Sequence, residues 1–171
     1  MLRLLYTCLE IMWFRRGPED MPGDLRWTVA TMAAYAAVGY PLSAISLPPF
    51  TAVLQVLVDL LLLVAFVQIV LRWRGLINRL PQTLTALAGT GILFTIFALP
   101  AMASLDTIGK SGGDASIPAL IVIVLMFWNL AVLVHVMRRT LEVTPGRAMW
   151  LSLAYFVVSF VVMSVLFPPT A

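Results

Sequence analysis

The sequence predicts an all-α polytopic transmembrane helical bundle of five spans, preceded by an N-terminal interfacial amphipathic helix. Three observations carry this expectation. First, 61% of the 171 residues are hydrophobic and 11% charged, where a soluble domain carries about 25% charged residues. Second, the apolar runs approach the ~20 residues that cross a hydrocarbon core of ~30 Å, and their number leaves no room for a soluble domain in this sequence. Third, the basic residues are segregated. Arg3, Arg15, Arg16 and Arg26 precede the first span, Arg72, Arg74 and Arg79 follow the second, and Arg138, Arg139 and Arg147 follow the fourth. Lys110 alone of the 11 basic residues falls on the opposite side. The positive-inside rule then places the N-terminus in the cytoplasm and, after an odd number of spans, the C-terminus outside. Short loops suit a bacterial inner membrane.

The elements follow from local signals. Residues 1–16 begin MLRLLYTCLEIMWF, too short to span. Glu10 interrupts the run, Arg15 and Arg16 follow it, and no small-residue cleavage site appears, which argues against a signal peptide. Arg3, Thr7 and Glu10 share one narrow stripe, so a helix in the membrane interface is expected, with Trp13 at headgroup depth. Packing of this helix against the bundle is the alternative. Residues 17–24 form a polar cytoplasmic linker ending at Asp24, an N-cap for the first span. Glu19, Asp20 and Asp24 near Arg15, Arg16 and Arg26 suit a solvated turn or a docking surface.

Spans are expected over 25–47, 51–71, 81–105, 117–137 and 146–167, with a tail at 168–171. Pro41 lies inside the first span and Pro100 near the far end of the third. Pro81 suits a first helical turn. Residues 106–116, DTIGKSGGDAS, read as a Gly/Ser-rich loop, and Ser116 with Pro118 and Thr144-Pro145 mark the last two starts.

Several functional classes are excluded. The formal charge of +3 and pI of 9.5 come from span-flanking arginines, with no basic, aromatic-interleaved face for nucleic acid. The single cysteine, Cys8, allows neither an intramolecular disulfide nor a Cys-based zinc cluster. It reads as apolar filling, with lipidation the alternative. His135, the one histidine, lies near the arginines and has no carboxylate within a turn, so no metal site is expected. Neither a nucleophile–base set, HExxH nor a Walker motif is present. The chain is expected to be neither an enzyme nor a cofactor binder.

Asp59 is the exception in this apolar sequence. It lies nine residues past Phe50, about 13 Å deep at helical rise, where a charge costs ~2.5–3.5 kcal/mol. Tyr35, Thr90 or Thr95, Asn129 and Ser159 fall at its level, and Gln55 is one turn away on the same helix face. The expected cluster is therefore Asp59, Gln55, Asn129, Tyr35, Ser159 and Thr95. Every partner is neutral, so Asp59 is expected to be neutral or shared in a polar cluster. Its role is either a clasp between helices or a proton-handling or substrate-contact site. ALAGTG, with Gly89, Thr90 and Gly91, follows no strand and reads as a close-packing surface. Ala30, Ala33, Ala34, Ala37 and Gly39 make the first span comparably smooth. These two spans should make the tightest contacts in the bundle, or a dimer seam.

The pattern resembles the Yip-domain membrane proteins, which have five spans and a cytoplasmic N-terminal segment. NRLPQTLTALAGTGILFTIFALP (78–100) is similar to the basic, Gln-containing start of a small-residue span in some bacterial members, and RGPED (16–20) to the polar lead-in to their first span. The resemblance implies membrane organisation or partner binding, with no catalytic residues. Three readings stay open: binding or organising other membrane proteins or lipids; a small proton-coupled carrier or channel component using Asp59; and a structural subunit of a larger membrane complex. A homo-oligomer is compatible with each. A reporter fused after Ala171 is expected on the opposite side of the membrane from one fused before Met1, as alkaline phosphatase and fluorescent-protein fusions would read out.

Overall fold

The computed structural model describes residues 2–168, so the last three residues of the expected tail lie outside the described residues. The described residues form six α-helices: α1 (Leu2–Met12), α2 (Leu25–Ser43), α3 (Pro49–Trp73), α4 (Leu80–Ser111), α5 (Ser116–Leu141) and α6 (Pro145–Leu166). Two short 3-10 turns, Pro18–Asp20 and Ile77–Arg79, join them, and no strand occurs among the described residues. Four helices are long and apolar enough to cross a membrane; these are α3, α5, α6 and α4 taken with its preceding turn. At 19 residues α2 is not one of them, its run being diluted by Arg26, Thr28, Thr31, Tyr35 and Tyr40.

Helix ends follow side-chain chemistry. Asp24 caps α2, its carboxylate accepting from the Arg26 N–H at 2.9 Å. Prolines that lack a hydrogen-bonding N–H occupy the first turns of α3, α4 and α6. Gly75 (φ 70°) follows α3 and Gly112 (φ 77°) ends α4, in the left-handed region that glycine enters without a Cβ clash.

Three ends differ from expectation, α5 among them, which runs on to Leu141 rather than 137. Pro41 lies two residues before the end of α2, which stops at Ser43 rather than 47. The third apolar helix runs on to Ser111 rather than stopping at 105, so much of the expected Gly/Ser loop is helical. The Lys110 Nζ to Asp106 Oδ2 ion pair at 2.7 Å, spaced i,i+4, supports that extra turn. Ser111 Oγ also donates to the Thr107 carbonyl.

α4 is the centre of the fold, packed by α1, α2, α3 and α5, while α6 lies on α5 and α3. The most extensive contact is between α2 and α4, the expected pair, but only α4 supplies small residues to it: Ala30, Ala33, Ala34 and Ala37 of α2 are exposed, and Thr28, Thr31 and Tyr35 face α4 instead. They run parallel: Thr28 Oγ1 lies 3.1 Å from Thr85 Oγ1 and donates to the Pro81 carbonyl at 3.2 Å, and further along the Tyr35 ring rests on Gly91. On the other side of α4, Thr83 meets Thr140 of antiparallel α5 at 3.3 Å. The buried hydroxyls of Thr83, Thr85 and Thr90 each donate to the carbonyl four residues back. This satisfies them inside the helix without demanding a polar neighbour.

α1 packs on the bundle. Thr7, Cys8, Ile11 and Met12 are buried, while Leu2, Leu5, Tyr6, Leu9 and Trp13 are exposed. Gly89 makes the seat: a Cβ there would lie 2.5 Å from Cys8 Sγ. Burial pushes the Cys8 thiol up to about 11, so it serves as apolar filling. Trp13 meets Trp128 edge-on at 5.7 Å between ring centroids. Trp128 lies about 15 Å along α5 from Arg138 at helical rise, so the Trp13 ring is well removed from the α5 arginines.

The chain leaves α1 through a left-handed Phe14 (φ 60°), with Arg15 N–H donating to the Glu10 carbonyl at 2.9 Å. The linker that follows is docked rather than a free solvated turn. Trp128 Nε1–H donates to the Met12 carbonyl at 3.0 Å, and His135 Nε2 meets the Arg16 carbonyl at 2.7 Å, which requires the Nε2–H tautomer or the imidazolium. Met21 and Pro18 are buried, and Glu19 pairs with Arg139 at 2.5 Å. Glu10 sits 2.6 Å from Arg16 Nε as an ion pair without a directed hydrogen bond.

The arginine end is laced shut. Arg79 donates to the Thr140 carbonyl at 2.8 Å and pairs with Glu142 at 2.5 Å, and Arg74 donates to the Leu141 carbonyl at 3.4 Å. Cations thus meet the free carbonyls at the negative end of α5. Most of the largest fully buried side chains lie towards this end, among them Leu71, Val67, Val132, Val136, Met137 and Leu141. Gly89→Ala would gain about 1 kcal/mol of helix propensity but overpack the Cys8 seat at a cost of about 1–3 kcal/mol. A lower unfolding temperature in detergent is therefore expected, and Cys8→Ala in the same chain should restore it by removing the clashing sulfur.

Candidate binding vestibule

Away from the arginine end the helices diverge, and the space between them is a cavity of about 740 Å³ lined by α2, α3, α4 and α6. Its size falls within the range of small-molecule pockets, ~300–1,000 Å³. Asp59 lines it at mid-helix, and Asp106 and Lys110 line it where α4 projects beyond the other helices.

Tyr35 O–H donates to Asp59 Oδ2 at 2.5 Å, tying α2 to α3. The geometry depends on α4. A Cβ on Gly91 would lie 2.6 Å from Tyr35 Cε2, so only glycine lets the ring lie against the α4 backbone. One turn further along α2, Gly39 faces Val56, where a Cβ would be 3.7 Å from the valine methyl. The antiparallel α2–α3 pair is therefore held close on the vestibule side of Asp59. Tyr35 is the hydrogen-bond partner of Asp59 among the described residues. No arginine or histidine lines the cavity, and its one lysine, Lys110, is paired with Asp106.

The six candidate residues divide. Tyr35, Asp59, Gln55 and Thr95 line this one cavity. Asn129 lies instead in a shallower, largely apolar groove of about 250 Å³ between α4 and α5, with Phe94, Met102, Val122 and Met126. Leu42, Thr95 and Met102 line both, so the groove adjoins the vestibule, with Asn129 on its α5 side. Equal depth put Asn129 at the right level, but the rotation of α5 turned it to a different face. Ser159 is not among the residues lining the vestibule. Thr90, at the same level, is buried and donates to the Ala86 and Leu87 carbonyls instead.

Sequence reasoning missed the mouth: Ser43 and Ser46 beyond Pro41, Met102, Asp106 and Lys110 on the extended α4, and Met163 and Phe167 from α6. The i,i+4 spacing of Asp106 and Lys110 was the one available signal. A second cavity, about 400 Å³ at the arginine end, is lined by Arg79 and Arg139, each already paired with a glutamate. Among the described residues no group of three His, Cys, Asp or Glu side chains is placed to hold a metal ion.

No protein-family model matches the chain, and no curated protein or solved structure matches it either.

Hydrogen bonds between membrane helices average ~0.6 kcal/mol and reach ~1.7 kcal/mol. Tyr35→Phe is expected to lower stability within that range, measured by unfolding in mixed micelles. A larger loss would mean that the hydroxyl supports more than the Asp59 contact.

Proposed function

We propose that this chain is a non-enzymatic integral membrane protein of five spans, α2 to α6, which binds a small ligand in the vestibule as a carrier or channel component. The N-terminus and the arginine end lie in the cytoplasm of a bacterial inner membrane, the vestibule opens outward, and α1 rests in the membrane with Leu2, Leu5, Tyr6 and Leu9 towards lipid.

One observation carries this reading: the intramembrane carboxylate lines a cavity instead of being sealed among helix neighbours. A carboxylate that served only as a clasp would need no space beside it. Ionisable groups at such depth face cavities or pathways when they serve transport. α2 adds support for the fifth span, since it runs parallel to α4 and antiparallel to α3.

The alternative, organisation of other membrane proteins or lipids as the Yip-domain resemblance implies, or service as a subunit of a larger complex, would use the lateral faces. Ile117, Leu120, Phe127, Phe160 and Val165 are exposed there, as is usual for a surface in lipid.

Thiol accessibility separates these readings. In a Cys8→Ala background, Gln55→Cys and Thr95→Cys are expected to react with a membrane-impermeant maleimide added to intact cells whose outer membrane has been permeabilised. Arg72→Cys should react only after the inner membrane is opened. Labelling of Lys110→Cys without labelling of the two vestibule positions would mean that water does not reach Asp59, and the binding reading would fall.

A further inference from the structure

We infer that the vestibule takes a monovalent organic cation with an apolar body, such as an alkylammonium or a quaternary amine. This rests on the proposed role of the vestibule as a binding site, and it adds the chemistry of the occupant.

Charge decides the sign. Asp59 is the one acidic side chain in the cavity wall without a basic partner, because Asp106, the other, is paired with Lys110. Tyr35 occupies Oδ2 and leaves Oδ1 free of any hydrogen-bond partner among the described residues. An anion entering this space would meet a carboxylate and no available cation. A cation would meet an acceptor in surroundings where low polarity strengthens the attraction.

The walls decide the rest. A divalent metal ion needs several oxygen ligands, six to eight for calcium. The vestibule offers one carboxylate at its depth, and no three metal-ligating side chains are grouped among the described residues. A bare alkali ion would leave nearly all of the 740 Å³ unused. Above the carboxylate an apolar strip of Leu42, Ile45, Val56, Met102, Met163 and Phe167 runs to a mouth whose polar groups are Ser43, Ser46 and the Asp106–Lys110 pair. A hydrocarbon body buries against such a surface at roughly 25 cal/mol per Å². Methionines adapt to irregular shapes, and the Phe167 ring offers a cation a π face near the mouth. A charged head at Asp59 with an apolar tail towards Met163 and Phe167 uses each of these features.

The test compares three six-carbon ligands on the purified full chain in maltoside micelles at neutral pH: hexyltrimethylammonium, hexanol and hexanoate. The readouts are the unfolding temperature and protection of Gln55→Cys, in the Cys8→Ala background, from maleimide. The cation is expected to raise the unfolding temperature saturably and to slow labelling severalfold, with little effect from the other two. Asp59→Asn should weaken the effect at least tenfold. Should that variant not fold, the protection measurement on the chain with Asp59 intact still decides. Equal protection by hexanol or hexanoate, undiminished binding in Asp59→Asn, or no protection by the cation would overturn the assignment of ligand class. In each of those cases Gln55→Cys still labels, and the vestibule stands. Failure of Gln55→Cys to label without ligand would instead remove the vestibule reading itself.

Discussion

The fold depends on the smooth surface of α4 between Thr83 and Gly91. Three neighbours approach this central helix over a few turns, and each needs a small residue or an internally bonded hydroxyl to do so. Gly89 receives Cys8 from α1, Gly91 receives the Tyr35 ring from α2, and Thr83 receives Thr140 from α5. In lipid, helices gain little from burying apolar side chains against one another. Close packing and hydrogen bonds hold them instead. The α4 surface supplies the packing, and its threonines bond within their own helix, so the surface stays smooth and electrically quiet.

The same constraint produces the site. Tyr35 reaches Asp59 because an edge of its ring lies against Gly91, where a Cβ would clash with it. At the arginine end the helices are tied by Arg74, Arg79 and the docked linker, and their largest side chains interlock. Towards Lys110 no comparable ties occur among the described residues, and the helices part around the vestibule. One end is thus a rigid base and the other an opening, with the Tyr35–Asp59 bond near the boundary.

The linker shows how little local composition says about order. RRGPEDMPGDLR has the charge and proline content of a solvated turn, yet Met21 is buried, Glu19 finds Arg139 and the Arg16 carbonyl meets His135. Each contact joins residues far apart in sequence. The lone histidine, uninformative by itself, fastens the linker to α5 through a backbone carbonyl.

The sequence by itself determined the helical class, the start of each helix and the mid-helix position of Asp59. These depend on local chemistry: apolar run length, Asp24 as a cap, prolines in first turns and rise per residue. It also marked Gly89 and Gly91 as a close-packing surface, because small side chains cannot hold helices apart. Only the tertiary structure decided which neighbours use that surface, and which residues at one depth share one space. Depth is a sum along a single helix, whereas meeting requires the rotation and tilt of two. Tyr35, Gln55 and Thr95 therefore line the vestibule with Asp59, while Asn129, at the same level, faces the adjoining groove on its α5 side.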